Sequence, residues 1–411
     1  MRRIENIILS IVVAIVGFSV LAYHLGASVL PNIVNMPEES VLENRYYTEL
    51  PDVSVESVLD STAQHSLEDY LVDHVPARDQ VVLFNAALQR CSVAISASIC
   101  GYDTYPTYFG SHYYAVPRDR LIVDRAEEQP AAAGGKTLDA WVNTLNDAAR
   151  NHPDIRFVYD CVARHDQTEA NPTYRYFANR LNPAWVQENL IGRLDSRLNP
   201  FIDAVQSYDE IVGEWFTSDP HWTLQRALKS YDMVAARLSL RTYPYENPIE
   251  AVSSWQGQYA KSGLNLDFPI TLNDLPLDFS QLTFYELEED GGAEKQMGLR
   301  EGIMNGTADI NDGHDSEYYQ YFGGGGAVAV NTGQNNGRKA LFIGDSLSYC
   351  LTRFIAANYE QTVFLLPGNA RYTKSLESYI EQYAPDDVII MMHATKYEMI
   401  ADYSPAFINL A

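Results

Sequence analysis

The sequence predicts an α/β fold with a mainly parallel sheet, and three observations carry that expectation. Short apolar runs of strand length alternate with segments of helical periodicity. One such run, Leu341-Phe342-Ile343, ends in Gly344-Asp345-Ser346 and leads into a helix-compatible segment at 348–358. The rhythm then repeats, with a strand at 362–366, a helix at 373–383 and a strand at 388–392.

Length and charge set the outer limits. The 411 residues allow two or three domains, at ~100–200 residues per domain. A net charge of −25 excludes a nucleic-acid binder, which needs a basic surface, and disfavours adsorption to anionic headgroups. It would also repel a strongly anionic polymer, so a neutral or weakly charged substrate is expected.

From the N-terminus, Arg2 and Arg3 precede an apolar run at 7–30 without Asp, Glu, Lys or Arg. That length suits one membrane-spanning helix. With no further Lys or Arg until Arg45, the positive-inside rule keeps the N-terminus cytoplasmic and the bulk of the chain outside. We therefore expect an anchor at 1–31, a polar linker at 32–60 containing Pro37 and Pro51, and an extracytoplasmic domain at 61–411. A cleaved signal peptide is the alternative, and it changes the tether but not the compartment.

Helical periodicity at 66–90 rests on Leu67, Tyr70, Leu71, Val81, Val82, Phe84 and Leu88, with an interruption at 74–78. Next come six aromatics, Tyr102, Tyr105, Tyr108, Phe109, Tyr113 and Tyr114, which suit either core packing or stacking on sugar rings. A helix at 136–151, a strand at 155–159 and a helix at 185–198 follow. Residues 273–337 are acidic and glycine-rich at 323–326, and read as a long insertion between core elements, with room for local strands. The four cysteines, Cys91, Cys100, Cys161 and Cys350, permit three disulfide connectivities or none at all. They form no CxxC pair, and no His/Cys spacing supports a metal site.

Two short motifs carry chemistry. Gly344 lets the chain turn sharply at a strand end, where a serine gains exposure and a helix N-terminus stabilises an oxyanion. Asp and Ser are also ordinary helix caps. Upstream, Asp219-Pro220-His221-Trp222-Thr223 places Asp and His on the same side of an extended chain, because Pro220 biases Asp219 away from helix. A carboxylate so placed orients an imidazole, as in a Ser-His-Asp triad. The helix expected from 223 to 238 offers a plain capping role for the same stretch.

In order along the chain, Glu43-Asn44-Arg45, Glu68-x-Tyr70-x-x-Asp73-His74-x-Pro76-x-Arg78, Asp219-Pro220-His221-Trp222-Thr223 and Tyr319-x-x-Phe322-Gly323-Gly324 precede Gly344-Asp345-Ser346. This ordered set resembles the DHHW family of bacterial extracytoplasmic proteins and, more broadly, the SGNH-hydrolase-like domains of the alginate O-acetylation proteins. The sequence departs from the family at Pro220, where a second His is usual, and at 367–372, which replaces an Asp-x-Arg. The resemblance implies an SGNH-like α/β/α sandwich with a mainly parallel sheet, preceded by one transmembrane helix. It also implies O-acyl transfer to, or removal from, an envelope or exported polysaccharide, often with a membrane-bound O-acyltransferase as partner.

On that reading Ser346 is the nucleophile, His221 the base and Asp219 its orienting carboxylate, with no cofactor or metal required. The backbone N–H of Ser346 is one oxyanion donor, and Gly368 and Asn369 are candidates for a second. Arg371 and Trp222 are candidates for substrate contact. The competing function is a non-catalytic glycan-binding or scaffold subunit of an envelope complex that has kept the fold and lost the chemistry.

Overall fold

A computed structural model describes residues 39–40, 42, 45–50, 54–59, 62–126, 135–177, 181–287, 295–296, 326–368 and 371–410. The expected anchor at 1–31, Glu43-Asn44 and the 319–324 motif lie outside them. Packing divides the chain into two units, residues 1–111 with 261–266, and residues 112–260 with 267–411. The division after Ser111 falls inside the stretch read from sequence as one domain, 61–411.

In the larger unit eight strands form one sheet, in the order Lys295–Gln296, Leu282–Glu286, Ala327–Asn331, Gln361–Leu365, Lys339–Gly344, Asp387–His393, Arg156–Ala163 and Pro200–Ala204. The last five run parallel. The first three add antiparallel beside Gln361–Leu365. The sheet is therefore mixed and mostly parallel.

Successive strand residues point to opposite faces, and here both faces are buried. Phe157, Tyr159, Cys161, Leu341, Ile343, Val388, Ile390 and Met392 join one core. Helices Gly135–Asn151, Leu376–Tyr383 and Lys396–Tyr403 cover it. Val158, Val162, Phe342, Phe364, Ile389 and Met391 join the other, against helix Leu224–Leu238. That burial explains why these strands read as continuous apolar runs. In Gly135–Asn151, Leu138, Trp141, Val142, Leu145 and Ala149 recur at helical spacing and are buried.

Two expectations change. The helix expected at 185–198 stops at Asn189, and short 3-10 turns follow at Ile191–Arg193 and Ser196–Leu198. Asp195 is extended and its carboxylate accepts the Arg197 N–H at 3.0 Å, so it starts a fresh turn. The 273–337 stretch supplies three strands of the main sheet, Leu282–Glu286, Lys295–Gln296 and Ala327–Asn331.

In the smaller unit, helices Thr62–Asp73 and Arg78–Cys100 are separated by a turn in which Ala77 adopts a left-handed φ of 57°. Asp73 accepts hydrogen bonds from the N–H and hydroxyl of Thr48, both at 2.9 Å, and pairs with Arg78. Asp73 of the Glu68–Arg78 motif, paired with Arg78, thus ties down the segment that precedes the helices. Arg78–Cys100 is, among the described residues, the one helix long and apolar enough to cross a membrane by length and composition. It leaves Val81, Phe84, Leu88, Ile95 and Ile99 exposed. All four cysteines are free thiols, with Cys91 and Cys100 exposed and Cys161 and Cys350 buried.

A candidate active site at the C-terminal edge of the sheet

The strands Lys339–Gly344 and Asp387–His393 run parallel with Gly344 opposite Met391, so Ser346 and His393 emerge at the same edge. The C-terminal edge of a parallel sheet is where α/β proteins place ligands. Gly344 is required there by close approach. A Cβ on it would lie 2.4 Å from Ser348 Oγ and 2.5 Å from Phe342 Cε1.

Asp345 then makes the turn in extended geometry and caps the 3-10 helix Ser346–Leu351. Its Oδ1 accepts the Leu347 N–H at 3.0 Å, and the Ser348 hydroxyl donates to its carbonyl at 2.7 Å. The turn leaves Ser346 half-buried. Its hydroxyl makes no hydrogen bond to any described residue.

Asp219 and His221 meet as the Asp-Pro-His spacing predicts. Asp219 Oδ1 lies 2.6 Å from His221 Nδ1 and accepts the His221 N–H at 3.0 Å, while Oδ2 accepts the Gln258 N–H at 2.8 Å. Asp219 therefore does not cap the helix that follows it, but it does serve the first N–H of the short helix Gln258–Ser262. Thr223 caps Leu224–Leu238, its hydroxyl accepting the Arg226 N–H at 3.3 Å. The backbone N–H groups of Tyr259 and Ala260 both donate to the Ser218 carbonyl, at 2.9 and 3.2 Å. Gly257 permits this clamp, because a Cβ there would sit 2.2 Å from Ser218 O and 2.8 Å from Asp219 Cβ.

Trp222 joins the two motifs. Its indole N–H donates to the Leu347 carbonyl at 2.7 Å, and the ring is fully buried. Trp222 was a substrate-contact candidate on sequence; burial makes it a strut instead. Gly368 is buried against Lys396, whose Cε would lie 2.3 Å from an added Cβ. Arg371 is exposed, and Asn369 lies outside the described residues.

Sequence reading missed a second Asp–His pair. Asp345 Oδ2 accepts the backbone N–H of His393 at 2.8 Å and lies 2.6 Å from His393 Nδ1. Burial pushes the Asp345 carboxyl up, but the His393 hydrogen bond and charge, with Lys396 nearby, hold it down at about 2. Burial pushes the His393 imidazole below its usual value, against the pull of Asp345, and Arg164 and Lys396 push the same way. The available signal was His393 itself, directly after the strand read at 388–392.

Around these pairs lie more buried ionisable groups. Arg164 Nε donates to Asp166 at 2.9 Å. His165, 2% exposed, meets Trp215 and Tyr259 edge-on, and burial lowers its pKa to about 4. Burial, then the Asp166 charge, raises Asp124 to about 6. A pocket of ≈ 340 Å³ lies beside the 219–222 segment, lined by Trp215, Phe216, Thr223, Tyr245 and Ile270 among others. No carboxylate, histidine or cation lines it. Among the described residues no group of three or more His, Cys, Asp or Glu side chains is arranged to hold a metal ion.

No protein-family model matches the chain, and no curated protein matches it in sequence. Its fold is similar to that of a DHHW family protein from Eubacterium siraeum, with a TM-score of 0.51 at 13% identity over 71% of this chain and 96% of that one. Bacillus cereus PatB1 aligns with a TM-score of 0.47 and 14% identity over 70% and 96% of the two chains. The O-acetyltransferase domain of Pseudomonas putida AlgJ aligns with 0.35 and 12% over 71% and 95%. At 13% identity the Eubacterium siraeum structure shows the fold and not the activity.

Proposed function

We propose that this chain is an extracytoplasmic O-acyltransferase or acylesterase, in the simplest case handling acetyl groups, that acts on an envelope or exported polysaccharide. The observation that carries this reading is the Asp219–His221 pair, 2.6 Å apart, whose segment is fastened through Trp222 to the turn that bears Ser346. The ordered motifs of the DHHW family support it, and so does an α/β sheet whose C-terminal edge carries the turn with Ser346.

Ser346 Oγ attacks the acyl carbonyl while His221 takes its proton and hands it to the departing donor oxygen. The acyl–donor bond breaks and an acyl-serine remains. An acceptor hydroxyl, or water, then gives its proton to the same imidazole and attacks the acyl-serine. Ser346 Oγ leaves with that proton. Asp219 holds the ring in one tautomer and stabilises the imidazolium. The N–H of Ser346 opens a helical turn, where no acceptor exists within the turn, and serves the oxyanion. Gly368 and Asn369 are the candidates for its second donor, and Arg371 for a contact to substrate hydroxyls.

An N-terminal membrane anchor with the enzyme outside fits the charge flanks of 7–30, and an acyl donor would then be supplied by a membrane-bound O-acyltransferase. Protease added to intact protoplasts should cleave the chain; complete protection until lysis would defeat this topology. For the chemistry, the full chain in detergent should release p-nitrophenol from p-nitrophenyl acetate and take up a fluorophosphonate probe. Folded protein that does neither is a scaffold subunit, not an enzyme.

A further inference from the structure

Ser346 directly follows the carboxylate of a second Asp–His pair, Asp345–His393, and the reaction above uses only the first. The second is as well organised as the first. Two of the three hydrogen bonds accepted by the Asp345 carboxylate come from His393, one from its backbone and one from its ring. The pair spans two neighbouring parallel strands, so the sheet itself fixes the ring. With Nδ1–H donating to an ionised carboxylate, Nε2 carries a lone pair and is an acceptor. It makes no hydrogen bond to any described residue. Nor is it sealed, since it is not among the unpartnered buried atoms and the side chain is 13% exposed. A histidine kept for structure alone generally satisfies both nitrogens.

Its surroundings fix the protonation state. Asp345, Arg164 and Lys396 are the charged groups that act on the ring. Lys396 is 3% exposed, packs against Gly368, and donates to Met399 Sδ at 3.4 Å. Burial, with the two cations behind it, outweighs the pull of Asp345 and disfavours a positive charge on the ring, so it is a neutral acceptor near pH 7.

Resting on the reading above, we propose that His393, oriented by Asp345, accepts a hydrogen bond from a hydroxyl of the incoming neutral sugar and positions it for attack on acyl-Ser346. His221 remains the proton carrier. Water needs no such orientation, so His393 sets the preference for transfer over hydrolysis. It is a substrate-positioning residue, and Asp345 acts through it.

The test uses the full chain in detergent, p-nitrophenyl acetate as donor and chitotetraose as a neutral acceptor. In His393→Ala, acetyl transfer to chitotetraose should fall at least about tenfold more than p-nitrophenol release, the worth of one substrate hydrogen bond. The KM for chitotetraose should rise. His393→Gln, which keeps an acceptor oxygen, should recover part of the loss. Equal losses in both rates would make His393 the proton carrier or a structural residue, and an unchanged ratio would make it a bystander; either overturns the proposal. Calorimetric binding of chitotetraose to Ser346→Ala, with and without His393→Ala, needs no turnover and separates this inference from the enzyme reading. Binding about tenfold weaker in the double variant supports it even if the wild type proves inert. Equal binding, or none to either, overturns it.

Discussion

The indole N–H of Trp222 donates a 2.7 Å hydrogen bond to the backbone carbonyl of Leu347, the residue after Ser346. The bond joins segments 125 positions apart in the chain. It fixes the distance between the loop that carries His221 and the turn that carries Ser346. Trp222 is also 6.0 Å from Trp215 ring to ring, and Arg226 lies over it at 5.6 Å. The strut is therefore rigid at both ends.

Trp222→Phe keeps an aromatic ring but removes the strong donor to the buried Leu347 carbonyl, leaving it the weak Cys350 thiol at 3.7 Å. Stability should fall by about 1 kcal/mol for the lost hydrogen bond, with a further part from lost volume. Acyl turnover should fall further than the loss of folded protein accounts for, because the two motifs lose their tie. Urea titration and p-nitrophenyl acetate turnover on the same sample check this. Wild-type turnover in a destabilised variant would mean that Trp222 packs and does nothing for the site.

If Ser346, His221 and Asp219 act as a unit, Ser346→Ala and His221→Ala should each reduce turnover to a similar residual level. The double variant should be scarcely worse, because members of a triad are grossly non-additive. Asp219→Asn should also be severe, about 10⁴ in the triad of serine proteases, since an amide holds the imidazole in the wrong tautomer. Additive losses would assign the three residues to separate roles. Probe labelling retained in Ser346→Ala would place the nucleophile elsewhere.

Gly257 gives a test that alters no reacting group. An added methyl would meet Ser218 O at 2.2 Å and Ser218 C at 2.6 Å. Backbone atoms cannot swing aside as a side chain can. Gly257→Ala should cost about 1–3 kcal/mol, as overpacking typically does, and should displace Asp219 from the Gln258 N–H. The expected readout is a large drop in kcat with probe labelling slowed in parallel. Gly213→Ala, with nothing within 4 Å of the new methyl, is the control and should change neither.

The parallel core was legible because its strands are buried on both faces. Runs such as Val388 to Met392 are apolar throughout and cannot be mistaken for half-exposed segments. The Asp219–His221 pair was legible because both residues sit in one short motif, and Pro220 fixes the geometry between them. Leu282–Glu286 and Ala327–Asn331 were not, since the first pairs with the second and the second with Gln361–Leu365, each later in the chain, and no local pattern names either partner. The Asp345–His393 pair was hidden for the same reason. Its members are 48 positions apart and meet only because the two strands are neighbours in the sheet. Trp222 was misread because a motif tryptophan beside a motif histidine gives no sign, in sequence, of which way its ring turns.

The last prediction concerns His165. Burial holds this imidazole at about 4 against an ordinary 6.5. A base with a depressed pKa in the folded state resists protonation, while the unfolded chain takes up the proton first as pH falls. The stability it contributes is therefore complete above pH 6.5, drains as pH falls toward 4, and is level below. At 1.36 kcal/mol per unit the total is about 3 kcal/mol. Asp124 works the other way. Its carboxyl is raised to about 6, so it costs stability above that pH and relieves it as pH falls toward 3.8. The two effects overlap and flatten the wild-type profile, so wild type alone is uninformative. The difference between wild type and His165→Gln cancels Asp124, and that difference should shift against the wild type by about 3 kcal/mol from pH 7 to pH 4. Urea denaturation at intervals of half a pH unit measures it. Parallel profiles across that window would show that His165 is protonated in the folded state, and that its unpartnered Nδ1 has found an acceptor.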